Sequence, residues 1–180
     1  MRRIVVSLVM LAAIAASPAA GQDFVRDSLY AGLRGEWLGT LTYRDYGNNK
    51  LVTLPTRVFA ERTGDAALAL GFIYDDGPGK TVRSRELLTV DPATRSWQTR
   101  TEGDSAVSRS MIVETSGFVS GTSGRVVRFG SITENDAPAE SRDTLTLAAD
   151  EVVLLHETRT PGGTFAMRNE LRLRRVVSPR

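Results

Sequence analysis

From Trp37 onward the chain takes up an apolar period of two and keeps it to Arg175, in short runs each closed by a turn signal. Successive side chains of a strand point to opposite faces, so this pattern is that of β-strands with one covered face. The turn signals fall at Tyr46-Gly47-Asn48-Asn49, Thr63-Gly64-Asp65, Asp75 to Gly79, Asp91-Pro92, Glu102-Gly103-Asp104, Gly117 to Gly124, Asn135 to Pro138, Ala149-Asp150 and Pro161-Gly162-Gly163. Nine turns separate ten strand candidates, at 37–46, 50–60, 66–74, 80–90, 95–102, 106–115, 125–133, 141–148, 151–159 and 165–175. With no helix between them, each strand pairs with the one before it. Such a meander either splits into two packed sheets or closes on itself, and closure removes the unpaired edges. The expectation is an all-β chain: a single antiparallel up-and-down β-barrel of about ten strands, eight to ten, with a short N-terminal helix.

That helix is expected over Asp23 to Leu33, where Phe24, Val25, Leu29, Tyr30 and Leu33 fall at helical spacing and Asp23 offers an N-cap. Ahead of it Arg2-Arg3, the apolar run Ile4 to Ala16 and the small residues Ser17 to Gly21 have the three regions of an export signal. Residues 1–21 are therefore expected to be removed, leaving 22–180 as one domain, periplasmic or secreted. Loss of Arg2 and Arg3 takes the basic residues from 23 to 21, level with the 21 acidic ones. A chain so balanced has no electrostatic motive for binding nucleic acid or an anionic membrane. Cysteine is absent, which excludes disulfides, thiolate metal sites and a lipid anchor on cysteine. No later segment has the eighteen or so consecutive apolar residues that a spanning helix needs.

Polar residues on inward rows are the candidates for function, because an unpaired charge inside a barrel costs several kcal/mol. The last strand reads Phe165, Met167, Asn169, Leu171 and Leu173 on one face against Ala166, Arg168, Glu170, Arg172 and Arg174 on the other. By the same alternation Glu86 runs in step with Val82, Leu88 and Val90, Arg109 with Val107, Met111 and Val113, and His156 with Val152 and Leu154. Glu86 and Arg109 are expected either to neutralise one another or to face a wet cavity. If their two strands have the opposite register, both charges lie in solvent.

The run Gly35-Glu36-Trp37-Leu38-Gly39, after a short helix and opening a strand, resembles the start of lipocalin-type and related calycin barrels. Continued through Tyr46 and Lys50 to Pro55, it is similar to exported bacterial lipocalin-like proteins of uncharacterised function. That resemblance implies that Trp37 plugs the closed end and that a cavity opens at the other. The Gly-x-Trp-x-Gly start also resembles nitrobindin-like haem barrels; there the axial ligand would have to be His156, the one histidine in the chain. Fatty-acid-binding barrels grip a carboxylate with inward Arg and Tyr on late strands. Here Arg168, Arg172 and Arg174 read as outward, and Arg109 with Tyr43 or Tyr74 is the pairing that could take such a head group.

Apparent enzyme motifs fail on their spacing. Gly79-Lys80-Thr81 lacks the first glycine of a phosphate loop, which is Tyr74, and sits in a hairpin. Gly103-Asp104-Ser105 is a turn with no acid placed for a triad, His156-Glu157 has no second histidine for zinc, and Asp75-Asp76 is too short for a calcium loop. The sequence thus points to a carrier of a small apolar or amphipathic molecule without a cofactor. Its cavity candidates are Trp37, Tyr43, Tyr74, Glu86, Arg109, His156 and Asn169. The competing readings are a filled barrel acting through its outer face, a cavity isomerase or hydrolase using Glu86, Arg109 and His156, and a haem barrel. Oligomeric state is left open.

Overall fold

The computed structural model describes residues 19–118 and 121–177, the first six by backbone alone. The export signal expected over 1–21 thus lies outside the described residues, save for the backbone of its last three. One helix, α1 (Ala19–Leu33), precedes ten strands: β1 (Gly35–Arg44), β2 (Leu51–Thr63), β3 (Ala67–Asp75), β4 (Thr81–Asp91), β5 (Ser96–Thr101), β6 (Ser108–Gly117), β7 (Gly124–Glu134), β8 (Ala137–Leu147), β9 (Glu151–Arg159) and β10 (Ala166–Arg175). Each strand pairs antiparallel with its neighbours in the chain, and β1 pairs with β10, so the sheet is a closed up-and-down barrel. The ten expected strands are all present. The largest shift is at β8, which starts at Ala137 because Asn135 and Asp136, with φ of 51° and 62°, complete the turn by themselves. Two residues at positive φ match the twist of the strands they join, which is why Asn and Asp stand there.

The helix closes one end of the barrel. It ends when Arg34 donates its amide to the Tyr30 carbonyl, and Gly35, at φ 124°, turns the chain into β1. Tyr30 fastens the helix to β4: its hydroxyl donates to the Ala66 carbonyl at 3.1 Å and accepts the Val90 amide at 2.8 Å. Beside it the Trp37 indole donates to the Leu33 carbonyl at 2.7 Å, and Arg175 donates to the carbonyls of Gly32, Arg34 and Ala149. Carbonyls at the C-terminal end of a helix lack internal partners and carry partial negative charge, so an indole N–H and a guanidinium are suited to them. Gly39 has a different reason to be glycine: a Cβ there would lie 2.0 Å from the Arg172 carbonyl oxygen of β10. Leu29, Tyr30, Trp37, Leu68, Leu88, Val126 and Leu147 are almost wholly buried around this end, which therefore holds the core.

Two expectations about facing are corrected. In β6 the inward row is Ser110 and Ile112, since Ser110 pairs with buried Trp97 and Ile112 is itself buried, while Met111 and Val113 stand exposed. Arg109 is therefore outward. In β10 a bulge between Met167 and Asn169 breaks the alternation, because one residue has no counterpart on β9. Leu171, Leu173 and Asn169 point in as expected, but Phe165 lies on the outside, edge-on to Phe129 at 5.7 Å and beneath the guanidiniums of Arg142 and Arg159. Met167 falls opposite Glu157 in the outer row, and Arg168, expected outside, turns to Glu134 at 2.6 Å and covers the Tyr46 ring.

Candidate functional site

The barrel interior divides into an apolar half and a polar half. Nearest the helix, a cavity of about 70 Å³ is lined only by apolar side chains, from Leu33 and Trp37 up to Leu70, Phe72 and Leu154. That space is of the order of two liquid water volumes, far below a usual ligand pocket. Trp97 lines it too, and the buried indole N–H of Trp97 has no hydrogen-bond partner among the described residues.

Above this floor the inward rows turn polar, and the strand register aligns them. Tyr43 lies opposite Asn169, Asn169 opposite His156, His156 opposite Asp143, and Asp143 opposite Arg128. Five successive strands, β1, β10, β9, β8 and β7, thus contribute one side chain each to a belt around the inner wall. Cross-strand partners sit close enough to bond directly, and two of these four pairs do. Asp143 holds Nδ1 of His156 at 2.7 Å with one carboxylate oxygen and stands 3.4 Å from the Arg128 guanidinium with the other. Arg128 also donates to the Ser110 hydroxyl at 3.0 Å and stacks on the Trp97 ring at 4.6 Å. A guanidinium can satisfy an acid, a hydroxyl and an aromatic face at once, which is why the buried cation here is arginine.

Glu86 and Tyr74 face this belt from β4 and β3. Burial raises the Glu86 carboxyl above its ordinary 4.5, with the charge of Arg128 opposing the rise. Burial also pushes the Tyr74 phenol up to about 12, helped by the negative charge of Glu86. Burial depresses Arg128, against the pull of Asp143 and Glu86. Tyr74 stacks on Phe72 with ring centroids 5.9 Å apart, so an aromatic wall runs from the floor up to the polar level.

Solvent reaches the belt from the end away from the helix. Tyr43, Leu54, Tyr74, Ser84, Glu86, Thr99, His156 and Asn169 all sit on inward rows, yet each is partly exposed. The His156 side chain is 24% exposed while Asp143 beneath it is 8% exposed, so the imidazole meets the cup and the carboxylate backs it. With Nδ1 engaged by Asp143, Nε2 is the nitrogen left for a ligand. At the rim, Glu134 and Arg168 pair with each other beside Tyr46.

Of the residues singled out from sequence, Tyr43, His156 and Asn169 come together in the belt and Tyr74 and Glu86 face it. Trp37 belongs to the sealed floor, and Arg109 lies on the outer surface. Sequence reasoning missed Asp143 and Arg128, although both carried a signal: Asp143 is in step with Leu145 and Leu147, and Arg128 with buried Val126. Among the described residues no three His, Asp or Glu side chains gather as a metal-ion site. Toward haem the belt supplies a single imidazole, and the cation at the rim, Arg168, is already engaged by Glu134. A larger hollow, about 930 Å³, lies on the outer face between Leu38, Arg57, Ile73 and the loop 77–79. It is a shallow groove on the outside of the sheet, whereas the belt gathers bonded, half-buried polar side chains within the barrel, so the belt is the better candidate.

No protein-family model matches the chain, and no curated protein matches it either.

Proposed function

We propose that the protein is an exported carrier that holds a small amphipathic molecule in the cup, its apolar part on the floor and its polar part at the belt. The observation that carries this reading is the partial exposure of the inward polar residues above a sealed apolar floor. A wall of Leu54, Leu70, Phe72 and Leu154 contributes roughly 25 cal/mol for each Å² of ligand surface it covers, and the belt fixes orientation. The helix, Gly35 and the indole of Trp37 at the closed end support a lipocalin-like reading, and the apolar run in residues 4–16 supports export. Native mass spectrometry of the protein taken from its own cells tests it. A co-purifying small molecule, and an N-terminus at Gln22, are expected. A bare mass together with no binding of an environment-sensitive apolar dye sinks the carrier reading.

One observation favours a second reading. An imidazole with Nδ1 held at 2.7 Å by a buried carboxylate is arranged as a general base, with Nε2 toward the cup. Turnover of a hydrophobic substrate that is lost in His156→Asn, with the fold retained, would move the protein from carrier to enzyme; inertness across a broad substrate panel counts against it.

A further inference from the structure

The inner wall carries one carboxylate more than its cations balance. Among the described residues the charged side chains on inward rows above the floor are Glu86, Arg128, Asp143 and the rim pair Glu134 and Arg168. The rim pair cancels. Arg128 and Asp143 cancel, because the guanidinium stands 3.4 Å from that carboxylate and gives a further hydrogen bond to Ser110. His156 gives its Nδ1 to the bond with Asp143 and adds no guanidinium or ammonium to the wall. Glu86 remains, half-buried, with no ion pair or hydrogen bond to any described side chain. Its direct ladder neighbours are Leu70 on β3 and Thr101 on β5, and the stacked Phe72 and Tyr74 lie one and two inward steps toward the mouth.

An unpaired carboxylate beside two aromatic faces, above an apolar floor, is a combination with one natural complement. We propose that the ligand of the cup is a cationic amphiphile, a protonated amine set against Glu86 and the Phe72–Tyr74 wall with its apolar chain directed toward Trp97 and the floor. This rests on the cup being a binding site. The carboxylate supplies a charge-assisted hydrogen bond, and the rings attract the cation through their electron-rich faces. An anionic head group, for which an inward arginine is the usual partner, finds Arg128 already occupied by Asp143 and meets the excess charge of Glu86. Burial raises the proton affinity of Glu86, and the charge of Arg128, which forms its ion pair with Asp143 instead, only opposes that rise.

Titration calorimetry of the whole protein at neutral pH with decylammonium, decanoate and decanol separates the possibilities, since the three share one chain and differ in head-group charge. The ammonium is expected to bind about tenfold more tightly than the alcohol, the carboxylate more weakly than either, and Glu86→Gln to abolish the ammonium preference while decanol affinity stays. Circular dichroism of the variant checks that it is folded. Equal binding of the three, a preference for decanoate, or an ammonium preference that survives Glu86→Gln overturns the cationic ligand while leaving the cup as a binding site. Binding of none of them overturns both.

Discussion

The guanidinium of Arg175 lies over the indole of Trp37, 4.1 Å from the ring centroid, and so joins the last residue of β10 to the start of β1 and the end of α1. The same side chain donates to the carbonyls of Gly32 and Arg34. Arg175→Ala is expected to lower unfolding free energy by about 2 kcal/mol, from a lost cation–π contact and unpaired helix-end carbonyls. Arg175→Lys should recover less than half, since one ammonium cannot reproduce a planar fork. Urea unfolding measures both; a lysine variant as stable as wild type would show that charge alone matters.

Tyr30→Phe removes the hydroxyl that accepts the Val90 amide and leaves that buried N–H without this partner. The expected loss is about 1–3 kcal/mol with the fold kept. Amide hydrogen exchange gives the sharper reading, because protection should fall at Val90 first. Unchanged protection there would mean that the helix is not fastened through this tyrosine.

Asp143 serves two partners, so its replacement is felt twice. Asp143→Asn leaves Arg128 buried without its nearest anion, a loss of about 3 kcal/mol, and Arg128→Met in the same chain should restore much of it. The tautomer balance of His156 should also change, since the carboxylate that favours a proton on Nδ1 is gone. With one histidine in the chain, nitrogen-15 NMR reads this directly. Additive losses in the double variant would argue against coupling.

Stability should depend on pH through Glu86. Its folded-state carboxyl is raised by burial, so the proton is bound more tightly in the folded protein than in the unfolded chain. Its contribution is therefore fully present below the ordinary 4.5 and is lost as pH rises through the higher folded value. Glu86→Gln, neutral at every pH, should melt a few degrees above wild type at neutral pH, and the gap should close on acidification. A gap that widens in acid reverses the sign and removes the argument. If the amine reading holds, the same substitution gains stability and loses binding, as happens where a site is kept at a cost to the fold.

Tyr74, pushed up to about 12, should stay a phenol where ordinary tyrosines ionise. In an alkaline ultraviolet titration Tyr74→Phe is expected to leave the absorbance rise below about pH 11 unaltered. A rise reduced by one tyrosine in that range would place the Tyr74 ring in solvent.

The strand order and the closure were legible because turn residues and a period of two are local signals. The sealed floor was legible in part: Trp37, Leu68, Leu88 and Leu173 follow from alternation. The belt was half legible. His156 and Asn169 were read as inward, the row on which the register places them, yet Asp143 was passed over although Leu145 and Leu147 fix its direction. Arg109 failed for a physical reason: β6 places Met111 and Val113 outside and Ser110 inside to meet Arg128, so its apolar row is not its core row. Arg168 failed because the bulge after Met167 shifts facing by one residue, a change that no periodicity within β10 reveals.

Pairing of β1 with β10 has a consequence for how the chain comes into being. Trp37 is joined to Arg175, so the ring cannot shut until the last strand has been made. A chain stopped at Arg159 would carry two open borders, β1 and β9, each offering a row of free amides and carbonyls to any other extended segment. Until synthesis is complete, the first strand must be kept from strangers, and the final ten residues of sheet are what relieve that exposure.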